Sequence, residues 1–215
     1  MREKFITHDE MDMIVESILV KAGMSNTWQG EISRIDIDAI IEFEYGLEIV
    51  WDNIDSFDED GIVLAAIFPK HKRICMNETQ KARFNENMGT MNFSKAHELG
   101  HWVLHVTDQQ EYKWLTFDEL DTFYCRSFSK NQSIERQADM FAASILMPKH
   151  IICGAIAELK KRGYVNFVDL YKLKDIFEVS ISALKARANE LNLLYITDKQ
   201  IYFCKADAAG QKSLF

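Results

Sequence analysis

His97, Glu98 and His101 constrain this chain more than any other residues. They stand in His97-Glu98-Leu99-Gly100-His101, two histidines four apart with a glutamate beside the first. On an α-helix, residues i and i+4 lie one above the other on one face, so both imidazoles reach a single metal ion. Glu98 then sits next to that ion, placed to take a proton from a bound water. HExxH on a helix is the signature of a zinc-dependent hydrolase. The spacing therefore predicts a metal helix that starts near Asn92 or Ser94, ends near His105, and belongs to a metallopeptidase. The motif supplies only two ligands, whereas catalytic zinc takes three protein ligands and keeps a position for water. His105 continues the stripe of His97 and His101. Eight residues of unbroken helix nevertheless separate side chains by roughly 12 Å, against zinc–nitrogen bonds of about 2.0–2.1 Å. No glycine turn lies between His101 and His105, so another element must close the site. His105 is read as structural, or as a polar wall of the cleft.

The best source of a third ligand is Ser133-Ile134-Glu135-Arg136-Gln137-Ala138-Asp139-Met140-Phe141-Ala142-Ala143. Glu135 and Asp139 are four apart and share a helical face. Glu135 can bind the metal while Asp139 accepts a hydrogen bond from the free ring nitrogen of a ligand histidine, which fixes the tautomer. Ile134, Ala138, Phe141 and Ile145 form a neighbouring apolar stripe, and Ala142 and Ala143 permit close approach to the HExxH helix. The plainer readings are solvated histidines, a Glu135 that favours its helix N-terminus, and an Asp139 that is a surface charge or ion-pair partner.

Around these helices the pattern is α+β. Helices are expected over 9–22, with Met13, Ile14, Ile18 and Leu19 spaced for one face, and over 31–45, with Ile32, Ile35, Ile40 and Phe43 buried and Gly46 as terminator. Strand signals at 47–51, 62–68 and 73–76 give a small, mostly antiparallel sheet ahead of the metal helix. Pro69 and the basic residues after it suggest a hairpin turn. Residues 107–132 read as irregular. Ser133 is a cap for the Glu135 helix, and Pro148 ends that helix or opens its successor. Two or three helices fill 149–191, with Asn166 and Ser180 as caps, and strands at 193–196 and 201–204 form a terminal hairpin.

Charge and cysteine usage exclude some classes. The formal charge is -8, which argues against a general nucleic-acid binder. Segment 149–190 holds eight Lys/Arg against five Asp/Glu. That excess is too mild for a DNA footprint, so its helices are expected to dock on the core or to grip a substrate protein. Cys75, Cys125, Cys153 and Cys204 are widely spread with no CxxC pair, which suits a reducing compartment. Residues 1–10 contain no apolar signal-like run, and 62–68 is too short to span a bilayer. A cytoplasmic protein without membrane association is expected.

Two stretches carry a resemblance. Residues 92–105, centred on HExxH, and residues 134–148, closing in Phe141-Ala142-Ala143-Ser144-Ile145-Leu146-Met147-Pro148, resemble the ImmA/IrrE family of metallopeptidases, with Ile145 where leucine is commoner. Ile74-Cys75-Met76-Asn77 resembles the family's segment before the metal helix. The resemblance covers roughly 40–150. It implies a gluzincin-like core over 40–150, a twisted sheet packed on the HExxH helix, flanked by an N-terminal helical segment (1–39) and a C-terminal helical region ending in the hairpin (151–215). It also implies cytoplasmic proteolysis of a helix-turn-helix repressor encoded by a mobile element or stress locus.

The chemistry expected is peptide hydrolysis with one Zn2+, Mn2+ or cobalt being acceptable substitutes. Glu98 is the proton shuttle. His105, Tyr112, Tyr124 and Arg126 are all candidates for the oxyanion donor. Cys125 is either a thiolate switch on the open metal position or, as favoured here, a small buried hydrophobe. The strand near residues 73–76 is expected to receive substrate by β-addition. The competing readings are a non-catalytic, metal-stabilised anti-repressor and a toxin-like protease.

Overall fold

Short-range chemistry sets the element boundaries. In the computed structural model the described residues are 5–24, 30–57, 62–106, 132–197 and 199–208. The Thr7 hydroxyl accepts the Glu10 N–H at 3.2 Å, and the Glu10 carboxylate accepts the Thr7 N–H at 2.8 Å. This reciprocal cap opens helix α1 (His8–Lys21), which buries Met11, Val15, Ile18 and Leu19. Met13, expected on that face, is exposed. The second expected helix is shorter than its pattern. It is regular only over α2 (Ile37–Ala39) and continues as a π-helical turn, Ile40–Glu44, with the Tyr45 N–H bonded to the Ile40 carbonyl. The wider turn rotates the chain by about one residue relative to a 3.6-residue period. Adjacent Ile40 and Ile41 are therefore both buried, and Phe43 is 85% exposed instead of facing the core.

The first sheet contains β1 (Glu48–Asp52), β2 (Ala65–Phe68) and β3 (Arg73–Asn77) in the order β1-β3-β2. β2 and β3 form the expected antiparallel hairpin, turning through Pro69–His71 and a left-handed Lys72 (φ 49°). β1 lies on the far side of β3 and runs parallel to it, Ile49 opposite Ile74, so the sheet is mixed. β1 and β2 are not neighbours in the sheet, so no tight hairpin joins them. The order also corrects the expected docking strand. β3 is central, with both edges already paired, and cannot receive a substrate; among the described residues the edge next to the metal helix is that of β2.

Ile74 and Met76 project from β3 into the main core, while Cys75 joins Ala66 and Ile54 in a smaller apolar cluster on the opposite face. After α3 (Lys81–Glu86), the Asn87 side chain accepts the Thr90 N–H and opens α4 (Met88–His105), one turn earlier than the pattern suggested. α5 (Gln132–Leu146) lies along α4 and buries Ala138, Phe141, Ala142 and Ile145. α6 (Lys149–Lys160), α7 (Phe167–Phe177) and α8 (Ile181–Glu190) follow, the last two capped by Asn166 and Ser180 as expected. A short hairpin, β4 (Tyr195–Ile196) and β5 (Ile201–Tyr202), precedes the single turn α9 (Lys205–Ala208). One apolar cluster runs from Met11 to Leu194. Within it the fully buried Arg187 pairs with Asp12 and Glu190, tying α8 to α1. No single helix among the described residues is long and apolar enough to cross a membrane.

Two glycines of α4 mark close approaches, one that a side chain would break (Gly89) and one that it would crowd (Gly100). A methyl group on Gly89 would lie 2.5 Å from the Val179 carbonyl carbon, and one on Gly100 would lie 3.1 Å from Phe141 Cδ1 and 3.2 Å from Ala138 Cα. Gly100 thus lies where α5 packs closely on α4. Gly100→Val should lower stability by about 1–3 kcal/mol through overpacking. Gly100→Ala regains up to about 1 kcal/mol of helix propensity and should be nearly neutral. Urea denaturation measures both; an unshifted midpoint for the valine variant would contradict the tight α4–α5 packing.

Candidate metal centre

His97 and His101 occupy successive turns of α4 on the face turned to α5, and Glu135 stands in the first turn of α5. His97 Nε2 is 3.1 Å from Glu135 Oε2, His101 Nε2 is 3.3 Å from Glu135 Oε1, and the two Nε2 atoms are 3.0 Å apart. Ligands about 2.0–2.1 Å from a tetrahedral ion are separated from one another by roughly 3.3 Å. The observed spacing is therefore that of three donors around one cation. Among the described residues these three side chains form the group able to hold a metal ion.

Asp139, one turn beyond Glu135, accepts a hydrogen bond from His97 Nδ1 at 2.9 Å. With the proton on Nδ1, the lone pair of Nε2 faces His101 and Glu135, the tautomer a metal requires. The electrostatics favour positive charge at this point. Burial pulls the His97 imidazole down, but its hydrogen bonds to Asp139 and Glu135 outweigh burial and push it up to about 10. Burial pushes the Glu135 carboxyl up, but its bonds to His101 and His97 hold it well below the usual carboxylate range.

Glu98 is buried at the back of the same cleft. Burial pushes its carboxyl up, the neighbouring His101 and His97 counteract this, and the Ile67 backbone N–H donates to the carboxylate. The register of the hairpin explains that last contact. The Asn77 N–H donates to the Leu64 carbonyl at 2.9 Å, so Leu64 and Asn77 are a hydrogen-bonded pair. Ala65 and Ile67, opposite Met76 and Ile74, then turn their N–H and C=O groups away from β3. Ile67 serves Glu98, and Ala65 faces a cleft of about 380 Å³ whose lining includes the three metal-facing side chains, Phe57, Val63 and Phe93.

His105 stands apart from the triad, as the helical rise demands. Its Nε2 lies 3.1 Å from Gln137 Oε1, and burial, aided by His101, lowers it to about 4, so it is neutral near pH 7. Tyr112, Tyr124, Cys125 and Arg126 lie outside the described residues. Sequence reasoning passed over Ile67, Phe57 and Asn77. Ile67 acts through its backbone, which carries no side-chain signal. Asn77 had a weak one, as the polar end of an apolar strand.

The model of the IrrE N-terminal-like domain, Peptidase M78, matches residues 67–189. No curated protein matches the chain. Among solved structures, a Mycobacterium tuberculosis transcriptional regulator is similar with a TM-score of 0.50 and 18% identity, over 85% of this chain and 47% of that one. This chain thus spans about half the length of that protein, and at such identity the likeness is one of fold. The matched stretch takes in more than half of the chain, including β3, the HExxH helix and the helix bearing Glu135 and Asp139; the chain belongs to the IrrE N-terminal-like family, Peptidase M78.

Proposed function

We propose that this protein is a cytoplasmic zinc-dependent endopeptidase whose substrate is a protein, a helix-turn-helix repressor of a mobile element or stress locus. The observation that carries this reading is the convergence of His97, His101 and Glu135 on one point, with the Glu98 carboxylate beside it and the β2 edge alongside. Three protein donors suit a catalytic ion, which keeps a position for water, better than a structural one closed by four. Two imidazoles and a carboxylate suit Zn2+, and Mn2+ is the alternative ion.

A bound divalent ion supplies an acidified water and a Lewis acid for the scissile carbonyl. The residues of this chain do the rest. Glu98 takes the proton of the attacking water and passes it to the leaving amine, while the Ile67 N–H keeps its carboxylate in place. Asp139 holds the ring of His97. The Ala65 N–H and C=O pair with the backbone of an extended substrate, the usual way a peptide joins a sheet edge. Residues 40–150 are the catalytic unit in this reading. The helices on either side dock on it through the shared core, and a repressor is proposed as substrate because the resemblance to the ImmA/IrrE family implies one.

Incubating the zinc-loaded protein with the repressor encoded beside it should yield discrete fragments by mass spectrometry, and none with a chelator present. An intact repressor would overturn the reading. Glu98→Gln should reduce cleavage by at least about 10²-fold, with metal content unchanged by elemental analysis. Relief of repression that survives this substitution would show that binding alone suffices. Asp139→Asn should weaken metal affinity about 10–100-fold in competition with a chelating dye, at nearly unchanged urea midpoint.

A further inference from the structure

We infer that the cleft selects extended segments bearing large apolar side chains at adjacent positions around the cleaved bond. This rests on the peptidase reading and names the substrate chemistry that reading leaves open. The cleft has two unlike walls. One is polar and belongs to α4 and α5: His97, Glu98, His101, Glu135 and Asp139. The other is apolar, built from Phe57 and residues 62–67, with Phe93 of α4 beside it. Among the described lining residues every charged or titratable side chain is on the metal wall. A charged substrate side chain laid on the opposite wall loses hydration and finds no partner among the described lining residues, whereas an apolar one gains by leaving water.

The strand geometry makes the selection act on neighbouring residues. Side chains alternate along β2, with Ala65 and Ile67 toward the main core and α4, and Ala66 and Phe68 toward the opposite face. Phe57 covers that second face, its ring edge-on to Phe68 at 5.5 Å between centroids. A substrate strand paired with β2 follows the same alternation. The residue beside Ala65 is then directed to the Phe93 side, and its neighbour beside Ala66 to the Phe57 side. Ala65 and Ala66 are the smallest side chains of the strand, so the bulk at both places is left for the substrate to provide.

The apolar wall is also held rigid. Asn77 is fully buried at the end of β3. Its side-chain amide donates to the Val63 carbonyl at 2.7 Å and to Asp55 Oδ1 at 2.6 Å, and Asp55 accepts Thr79 Oγ1 at 3.0 Å. The turn Asp55–Phe57 and the residues entering β2 are thereby anchored to the sheet. A wall set in place before binding discriminates more sharply than one that must be ordered by the ligand. Runs of large apolar residues are mostly buried in folded proteins, so the target segment is one that its own protein exposes only in part of its states.

The test uses the full chain loaded with Zn2+ and synthetic decapeptides randomised at two central positions. Cleavage is read by mass spectrometry, and binding of the same peptides to the metal-loaded Glu98→Gln protein is read by fluorescence anisotropy. Leu, Ile, Phe and Met at both positions should exceed Asp, Glu and Lys by at least about tenfold in both readouts. Phe57→Asp should reduce the apolar preference at one position, with metal content and circular dichroism unchanged. Efficient cleavage with no apolar preference would overturn the inference and leave the peptidase standing. Apolar-selective binding without cleavage would overturn the peptidase, and with it the link to a cleaved bond, while supporting the cleft's selection of adjacent apolar side chains. Neither cleavage nor selective binding would overturn both.

Discussion

The packing of α5 against α4 is the contact on which the rest of this molecule depends. α4 alone presents His97 and His101 at helical spacing, and no further residue of the same helix can complete their coordination. Glu135 reaches them because the two helices pack closely, with Gly100 set against Ala138 and Phe141. The apolar stripe of Ala138, Phe141, Ala142 and Ile145 drives the association. Glu135 and Asp139, on the adjoining face, are carried to the two histidines by the same event. The burial that stabilises the fold thus also assembles the charged group, and the desolvation it imposes is offset by hydrogen bonds among the four side chains.

The sheet has a similar double use. β3 is covered on both faces and paired on both edges, so it is a structural strand. β2 is the working strand. Its inward hydrogen bonds hold the hairpin, and its outward groups divide between Glu98 and the cleft. The long, flexible Glu98 side chain is held by a backbone donor from a separate element. Its position is therefore set by the sheet as much as by the helix that carries it.

Several features were legible because they rest on spacing within a single element. The i, i+4 relation of His97 and His101, that of Glu135 and Asp139, and the side-chain caps at Asn166 and Ser180 all depend on residues within a turn or two of each other. The exclusion of His105 from the triad was equally a matter of helical rise. Other features escaped for definite reasons. Phe43 fits a 3.6-residue period, and the π-helical turn between Ile40 and Glu44 breaks that period without any mark in the pattern. The parallel pairing of β1 with β3 joins residues some 25 positions apart in the chain, and an apolar strand reads alike whichever neighbour it has.

By itself the sequence determined the chemical inventory: two imidazoles and a carboxylate on one helix, two carboxylates on one face of another, and the apolar stripes that must find cover. Those follow from periodicity and side-chain chemistry, which are properties of consecutive residues. Only the tertiary structure decided which strand lies beside the cleft, which backbone N–H steadies Glu98, and that Phe57 and Asn77 shape the wall opposite the histidines. These depend on contacts between residues far apart in the chain. Such contacts are selected by the joint packing of the whole core, and no local pattern records them.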